Sequence, residues 1–243
     1  MIGKSQIKRI ASLQQKKYRR EFRQFVAEGT KVIEELLHSR FALCELYATS
    51  GGMFAECEAR LVSEADLSRM SALTTPAGCL AVFSIEEEEA YDPQGITVVL
   101  DEVRDPGNLG TIIRLCDWFG VRHLVASQTT VDVFNPKVVQ ATMGSLARVS
   151  VHYRDLPEFL SAADVPVYGT FMDGAPVYGE RLPADAIIVF GNESHGISPL
   201  VMPYITKRIT IPRFGALQQT ESLNVATAAA ITLSEFRRGL SER

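Results

Sequence analysis

Residues 96–120 read ITVVLDEVRDPGNLGTIIRLCDWFG. The apolar run Ile96–Leu100 shows no polar alternation, as in a strand covered on both faces. It ends on Asp101-Glu102, passes through Pro106, Gly107 and Gly110, and continues into apolar residues at helical spacing that stop at Gly120. A helix over Asn108–Phe119 is expected, with Asn108 as its cap. Outward from this unit the pattern repeats. VRHLVAS, VSVHY, VPVYGTF, AIIVFG and RITIP read as strands, and Pro136–Leu146, Leu156–Ala162, Pro199–Ile205 and Ser222–Leu240 as helices. Alternation of this kind predicts an α/β fold with a parallel sheet covered on both faces, which binds ligands outside the carboxyl ends of its strands.

Toward the amino terminus the pattern is less regular. Thr30–Leu37 reads as an amphipathic helix after a break at Gly29. Ala42–Ala48, Ala59–Val62 and Cys79–Ser84 read as strands, and Ser63–Met70 as a helix capped by Ser63. This is a small α/β unit. Charge, Pro and Gly then concentrate in Glu86–Glu89 and Tyr91–Gly95, which places a linker there and divides the chain into domains 1–94 and 95–243.

Composition narrows the function. Hydrophobic residues make up 46% and charged residues 22% of 243, values of an ordinary globular protein. The longest apolar run near a helix, Val225–Leu233, falls short of the roughly 20 residues a membrane span needs, and the basic amino terminus lacks a signal-peptide core. A cytoplasmic protein is expected. Cys44, Cys57, Cys79 and Cys116 form no CxxC pair and read as small buried residues. Net charge is −4, yet residues 1–23 carry +7 and the remainder −11. Clustered cations on an acidic protein suit phosphate contacts, so Lys8, Arg9, Lys16, Lys17, Arg19, Arg20 and Arg23 are candidate nucleic-acid contacts; a solvated helix face is the bland alternative.

Polar residues and glycines gather where three strands end. The first cluster, Asp101–Gly110, is followed by Arg114, a cation flanked by apolar residues. The second is Gly191-Asn192-Glu193-Ser194-His195-Gly196. The third runs from Ile211-Pro212 to Ser222-Leu223-Asn224-Val225, where Ser222 reads as the cap and Asn224 has no structural task. Neither a GxGxxG fingerprint nor a P-loop lysine is present, and no His/Cys/Asp group has metal-ligand spacing, so no metal is expected.

In order and spacing these clusters resemble the motifs of the SpoU (TrmH-like) family of SPOUT RNA methyltransferases. Asn108 and Arg114 match its first motif, Gly191–Gly196 its second, and Ile211-Pro212 with Ser222–Val225 its third. Phe134–Val139 and Met143–Leu146 are similar to the intervening segment, so the likeness covers about residues 96–243. Leu13–Arg19 and Phe25–Gly29 look like the family's ribosomal-protein-like RNA-binding domain. The loop Gln218–Glu221 is longer than in the commonest form of the third motif.

The resemblance implies a carboxyl-terminal trefoil knot, a homodimer, and S-adenosylmethionine as the methyl donor to a ribose 2′-hydroxyl. It implies Thr170, Gly191, Asn192, Gly196, Ile211 and Leu223 around that cofactor, and Arg114, Asn108, Glu193, Ser222 and Asn224 at the reacting nucleotide. A guanidinium stays protonated, so Arg114 suits a clamp on phosphate and 2′-oxygen better than a base. Ribosomal RNA is the first choice of substrate and transfer RNA the runner-up, on analogy. A non-catalytic RNA-binding relative and a base-nitrogen methyltransferase are the competing readings. The filled motifs weigh against the first, and the pairing of Asn108 and Arg114 with S-L-N-V against the second.

Overall fold

A computed structural model describes residues 2–54, 57–179, 181–215, 217 and 222–241. In chain order the first elements are α1 (Lys4–Ser12), α2 (Lys16–Phe22), β1 (Gln24–Glu28), α3 (Thr30–Leu37), β2 (Leu43–Ala48), β3 (Arg60–Leu61), α4 (Glu64–Met70) and β4 (Cys79–Ser84). Then follow β5 (Ile96–Leu100), α5 (Pro106–Trp118), β6 (His123–Ser127), α6 (Pro136–Thr142), β7 (Ser150–Arg154), α7 (Leu156–Ser161), β8 (Val167–Pro176), β9 (Ala186–Phe190), β10 (Lys207–Thr210) and α8 (Val225–Ser241). They form two compact units, Met1–Glu88 with Asp132–Arg148, and Glu89–Val131 with Val149–Arg243.

The first unit is a four-stranded sheet in the order β1-β4-β2-β3, antiparallel except for β2 with β3. Strand β1, unassigned from sequence, is buried from Phe25 to Glu28, so it lacks the polar alternation that marks a half-exposed strand. One core cluster gathers Ile7, Ile10 and Leu13 of the α1 region with Val26, Leu67 and Leu80. An aromatic group forms around Phe25, whose ring lies 5.1 Å from Phe41, 5.8 Å from Phe83 and 4.9 Å from Phe134. Phe134 arrives from the 132–148 segment, which carries α6 and completes this unit.

Arg19 fastens that segment. Its Nε donates to Asp132 Oδ2 at 3.0 Å, and Nη1 donates to the Leu13 and Gln14 carbonyls at 2.9 Å each. At 2% exposure the residue is buried, which removes it from the candidate RNA contacts: five donors on a planar fork suit a junction between segments.

The second unit is a six-stranded, all-parallel sheet in the order β10-β8-β9-β5-β6-β7. Strands β5, β6 and β9 are buried throughout, which explains their unbroken apolar sequences. The order reverses between β5 and β9, and a cleft lies toward β8, β9 and β10, at the carboxyl ends of the strands. Two expected elements shrink. Pro199–Ile205 holds only a 3₁₀ turn, Met202–Tyr204, and the last helix starts at Val225 rather than Ser222. Strand β8 runs on to Pro176, and its pairing with β10 jumps from Gly169 opposite Arg208 to Ala175 opposite Ile209. A Cβ on Gly174 would lie 2.7 Å from the Ile209 carbonyl carbon, so only glycine allows the two backbones to pass.

The stretch read as a linker is anchored here. Tyr91 lies edge-on over His123 and His152, whose ring nitrogens are 2.9 Å apart, and burial next to a second imidazole holds His123 below the ordinary histidine range. Of the cysteines, all free, Cys79 and Cys116 are buried as expected. Cys57 is half-buried and Cys44 is exposed, because it sits on an outward position of β2.

Replacing Arg19 by Ala leaves the Asp132 carboxylate and two carbonyls without their donor. It is expected to destabilise the protein by about 3 kcal/mol in urea unfolding. Arg20→Ala, on the exposed side of the same helix, should cost less than about 0.5 kcal/mol.

Candidate active site

The three clusters converge at the carboxyl ends of β5, β9 and β10. After β5 the chain turns, and Asp105 rather than Asn108 caps α5: its Oδ1 accepts the Asn108 N–H at 2.8 Å, with Pro106 at the first helical position. Asn108 is thereby left with a free side-chain amide. Its Nδ2 donates to Glu193 Oε1 at 2.7 Å, and its Oδ1 accepts from Asn224 Nδ2 at 2.9 Å.

Asn224 is the cap of α8, the task the sequence gives to Ser222. Its Oδ1 accepts the N–H groups of Ala226 at 2.9 Å and Thr227 at 3.2 Å. The orientation of both amides follows from this. With its oxygen on the helix N–H groups, Asn224 must turn its NH₂ toward the Asn108 oxygen, which turns the Asn108 NH₂ toward Glu193. One hydrogen-bonded line therefore runs from the α8 amino terminus through both asparagines to the Glu193 carboxylate.

The loop after β9 is shaped by its two glycines. A Cβ on Gly191 would fall 2.1 Å from the Gly196 carbonyl carbon and 2.3 Å from the Ile197 nitrogen. Gly196 is left-handed, with φ +70°. Asn192 and Gly196 exchange backbone hydrogen bonds of 2.9 Å, and Asn192 Oδ1 accepts the Ser194 and His195 N–H groups at 2.8 and 3.2 Å. The spacing G-x-E-x-x-G is the length of this tight turn, which holds Glu193 at its tip.

Beside the turn lies an open cleft of about 1410 Å³. Thr170, Gly191, Asn192, Gly196, Ile211 and Leu223, the six residues expected around a cofactor, all line it, as do Glu193 and Ser222. Its floor is apolar, with Phe190, Ile209 and Val225, and its rim carries hydroxyls, amides and backbone. Such a wall suits a ligand with a flat apolar face and a polar sugar. Asn108, Asn224 and Arg114 are not among the lining residues. Arg114 is exposed, makes no hydrogen bond or ion pair among the described residues, and shares the outward face of α5 with Thr111 and Trp118, the latter 84% exposed. Arg237 ties α8 to the far end of α5, its Nε donating to the Phe119 carbonyl at 2.6 Å. Gln218–Glu221, the long loop of the third cluster, lies outside the described residues.

Of the candidate RNA contacts, Lys8, Lys16, Lys17, Arg20 and Arg23 are exposed on or next to α1 and α2. Arg9 is paired with Glu45 and Gln24, and Arg23 donates to the Ile85 carbonyl at 3.1 Å. Lys17 Nζ stands 5.5 Å from the centre of the Tyr18 ring, which stacks on the part-exposed Phe22. Among the described residues no His, Cys, Asp or Glu group could hold a metal ion, and no helix is long and apolar enough to cross a membrane. The sequence alone gives no task to Asp101 and Glu102, yet both hold the Gly191–Ser198 loop; an acidic residue ending an apolar strand at the switch point was the available signal.

Comparison with known proteins bears on the family and the fold. The chain is 31% identical over 240 residues to the 23S rRNA (guanosine(2553)-2′-O)-methyltransferase RlmP of Bacillus subtilis, covering 95% of each chain. A TrmH-family chain from Porphyromonas gingivalis superposes with a TM-score of 0.88 at 42% identity, covering 98% of this chain and 99% of that one. The AdoMet-bound rRNA methyltransferase from Sinorhizobium meliloti gives 0.87 at 29% identity, with 99% and 97% covered. Residues 4–81 match the MRM3-like substrate binding domain. Residues 95–234 match the SpoU rRNA Methylase family, and the chain, whose three motifs meet through one hydrogen-bonded line beside the cleft, belongs to that family.

Proposed function

We propose that this protein transfers a methyl group from S-adenosylmethionine to a ribose 2′-hydroxyl of ribosomal RNA, acting in the cytoplasm as a homodimer with a knotted carboxyl-terminal region. The observation that carries the reading is the line Glu193–Asn108–Asn224, which joins all three motifs beside a cleft lined by every expected cofactor residue. The RlmP relative, named for 2′-O-methylation of 23S rRNA and matched over nearly its whole length, supports the choice of RNA.

The cleft fits the cofactor: its apolar floor suits an adenine ring, Thr170 and the backbone of Gly191, Ile211 and Leu223 offer partners to a ribose and an amino acid, and Asn192 shapes the wall beside them. When bound, S-adenosylmethionine supplies a methyl group already activated on a sulfonium, so the protein's task is to hold reactants in line and ease proton loss from the hydroxyl. Glu193, fixed through Asn108, and Ser222 orient the acceptor ribose. Arg114, positive at any working pH, clamps an RNA phosphate and the 2′-oxygen and stabilises charge developing there as the proton leaves to solvent. Because Arg114 stands away from the cleft on the face that exposes Trp118, a second copy covering that face is the arrangement that gives both residues a task. Exposed Lys8, Lys16, Lys17 and Arg20 hold the RNA backbone.

Incubation with ribosomal RNA and cofactor, followed by complete nuclease digestion, should release a 2′-O-methylated nucleoside. A base-methylated nucleoside, or none, would defeat the reading. Arg114→Ala is expected to lower single-turnover transfer about 100-fold with cofactor affinity unchanged, and Arg114→Lys to restore little, since an ammonium lacks the planar fork. Near-normal transfer by the alanine variant would remove Arg114 from the mechanism. Changing Lys16 and Lys17 together to Ala should weaken RNA binding and reduce the slope of log affinity against log salt by about 1 to 2, measured by filter binding.

A further inference from the structure

Asp101 ends β5 at the switch point of the sheet and is 3% exposed, yet no cation pairs with it among the described residues. Leaving a carboxylate in such a place is costly unless it is held by donors. Its Oδ2 accepts the backbone N–H of Ser198 at 2.7 Å, and its own N–H donates to the Phe190 carbonyl at 2.9 Å. The next residue, Glu102, takes up φ +60°, a left-handed conformation that a side chain disfavours. In that conformation its carbonyl accepts Asn192 Nδ2 at 2.8 Å while its N–H donates to Ser127 Oγ at 3.0 Å.

Asp101 and Glu102 therefore grip the Gly191–Ser198 loop near both ends, at Asn192 and at Ser198. Between these points lie Glu193 and Gly196, which line the cleft, and Gly191 lies just outside them. Among the described residues no other hydrogen bond ties Ser198 to the sheet: its neighbour Ile197 packs into the core with Val99 and Val189, while the tight turn at 192–196 closes on itself.

We infer that Asp101 is a positioning residue, a buried clasp that sets the cofactor-facing wall and the height of Glu193 by holding the Ser198 amide. This rests on the cofactor reading above. A charge-assisted hydrogen bond to a backbone amide is strong enough for its loss to be felt as roughly tenfold or more in whatever depends on the wall. Asn at this position keeps an oxygen that can accept the same N–H; Ala does not.

The test compares the full-length protein with Asp101→Ala and Asp101→Asn, each assayed well below its melting temperature. Hydrogen exchange of the ligand-free protein reads the loop directly, and calorimetric titration with S-adenosylmethionine reads the wall. Asp101→Ala should speed exchange in the peptide covering 191–198 and weaken cofactor binding about tenfold, while peptides in β5 and β6 keep their protection. Asp101→Asn should restore both readings to within about threefold of the parent. A double-mutant cycle with Asn192→Ala should be non-additive, because both changes release one loop. Unchanged exchange at 191–198 in Asp101→Ala, or exchange raised uniformly across the unit, would overturn the inference. If the parent protein itself fails to bind S-adenosylmethionine, the cofactor reading fails instead, and the exchange data alone decide the clasp.

Discussion

The side-chain amide of Asn108 is the point on which the rest of the active region depends. An amide presents a donor and an acceptor on opposite sides of one small plane, and here both are used: the donor on Glu193, the acceptor on Asn224. Neither an aspartate nor a hydroxyl could replace it in kind. An aspartate would face the Glu193 carboxylate with like charge, and a hydroxyl lacks the reach to span two partners. Asn224 is already oriented by the helix it caps, so the direction of the whole line is set by the backbone of α8. The consequence is that three segments far apart in sequence share one polar register at the mouth of the cleft.

That register is useful only if the loops carrying it keep their height above the sheet. The all-parallel sheet supplies a rigid base, since β5 and β9 are buried throughout and paired residue by residue from Ile96 opposite Ala186 to Leu100 opposite Phe190. Above it, the turn at Gly191–Gly196 is so tight that a single Cβ at Gly191 would collide with backbone. The amino-terminal unit solves a different problem in a similar way. It covers Phe25 with Phe134, a residue more than a hundred positions later, and holds the incoming segment by pairing the buried Arg19 with the half-buried Asp132. A cation in the most basic stretch of the chain is thus spent on architecture, and its exposed neighbours remain for phosphates.

Much of this was legible in the sequence, and the reasons for the exceptions are specific. Strands β5, β6 and β9 announce themselves because burial on both faces leaves no polar position to confuse the pattern. Strand β1 is buried in the same way, but it is short and sits between a basic helix and a glycine, where periodicity has too few residues to act on. Helix caps were misassigned for a common cause. Asp105 and Asn108, like Ser222 and Asn224, are all competent caps, and propensity cannot choose between residues three or two positions apart.

By itself, the sequence determined the α/β class, the parallel sheet, the three motif clusters and the family they belong to, because these rest on local spacing and residue type. Tertiary structure decided which polar atoms meet. It removed Arg19 from the surface, made Asn224 a cap that also donates to Asn108, assigned residues 132–148 to the first unit, and gave Asp101 the Ser198 amide. The physical reason is the range of the forces involved. Hydrophobic periodicity is written into neighbouring residues, whereas a hydrogen bond forms only between atoms brought within about 3 Å by the fold, and no spacing along the chain encodes that meeting.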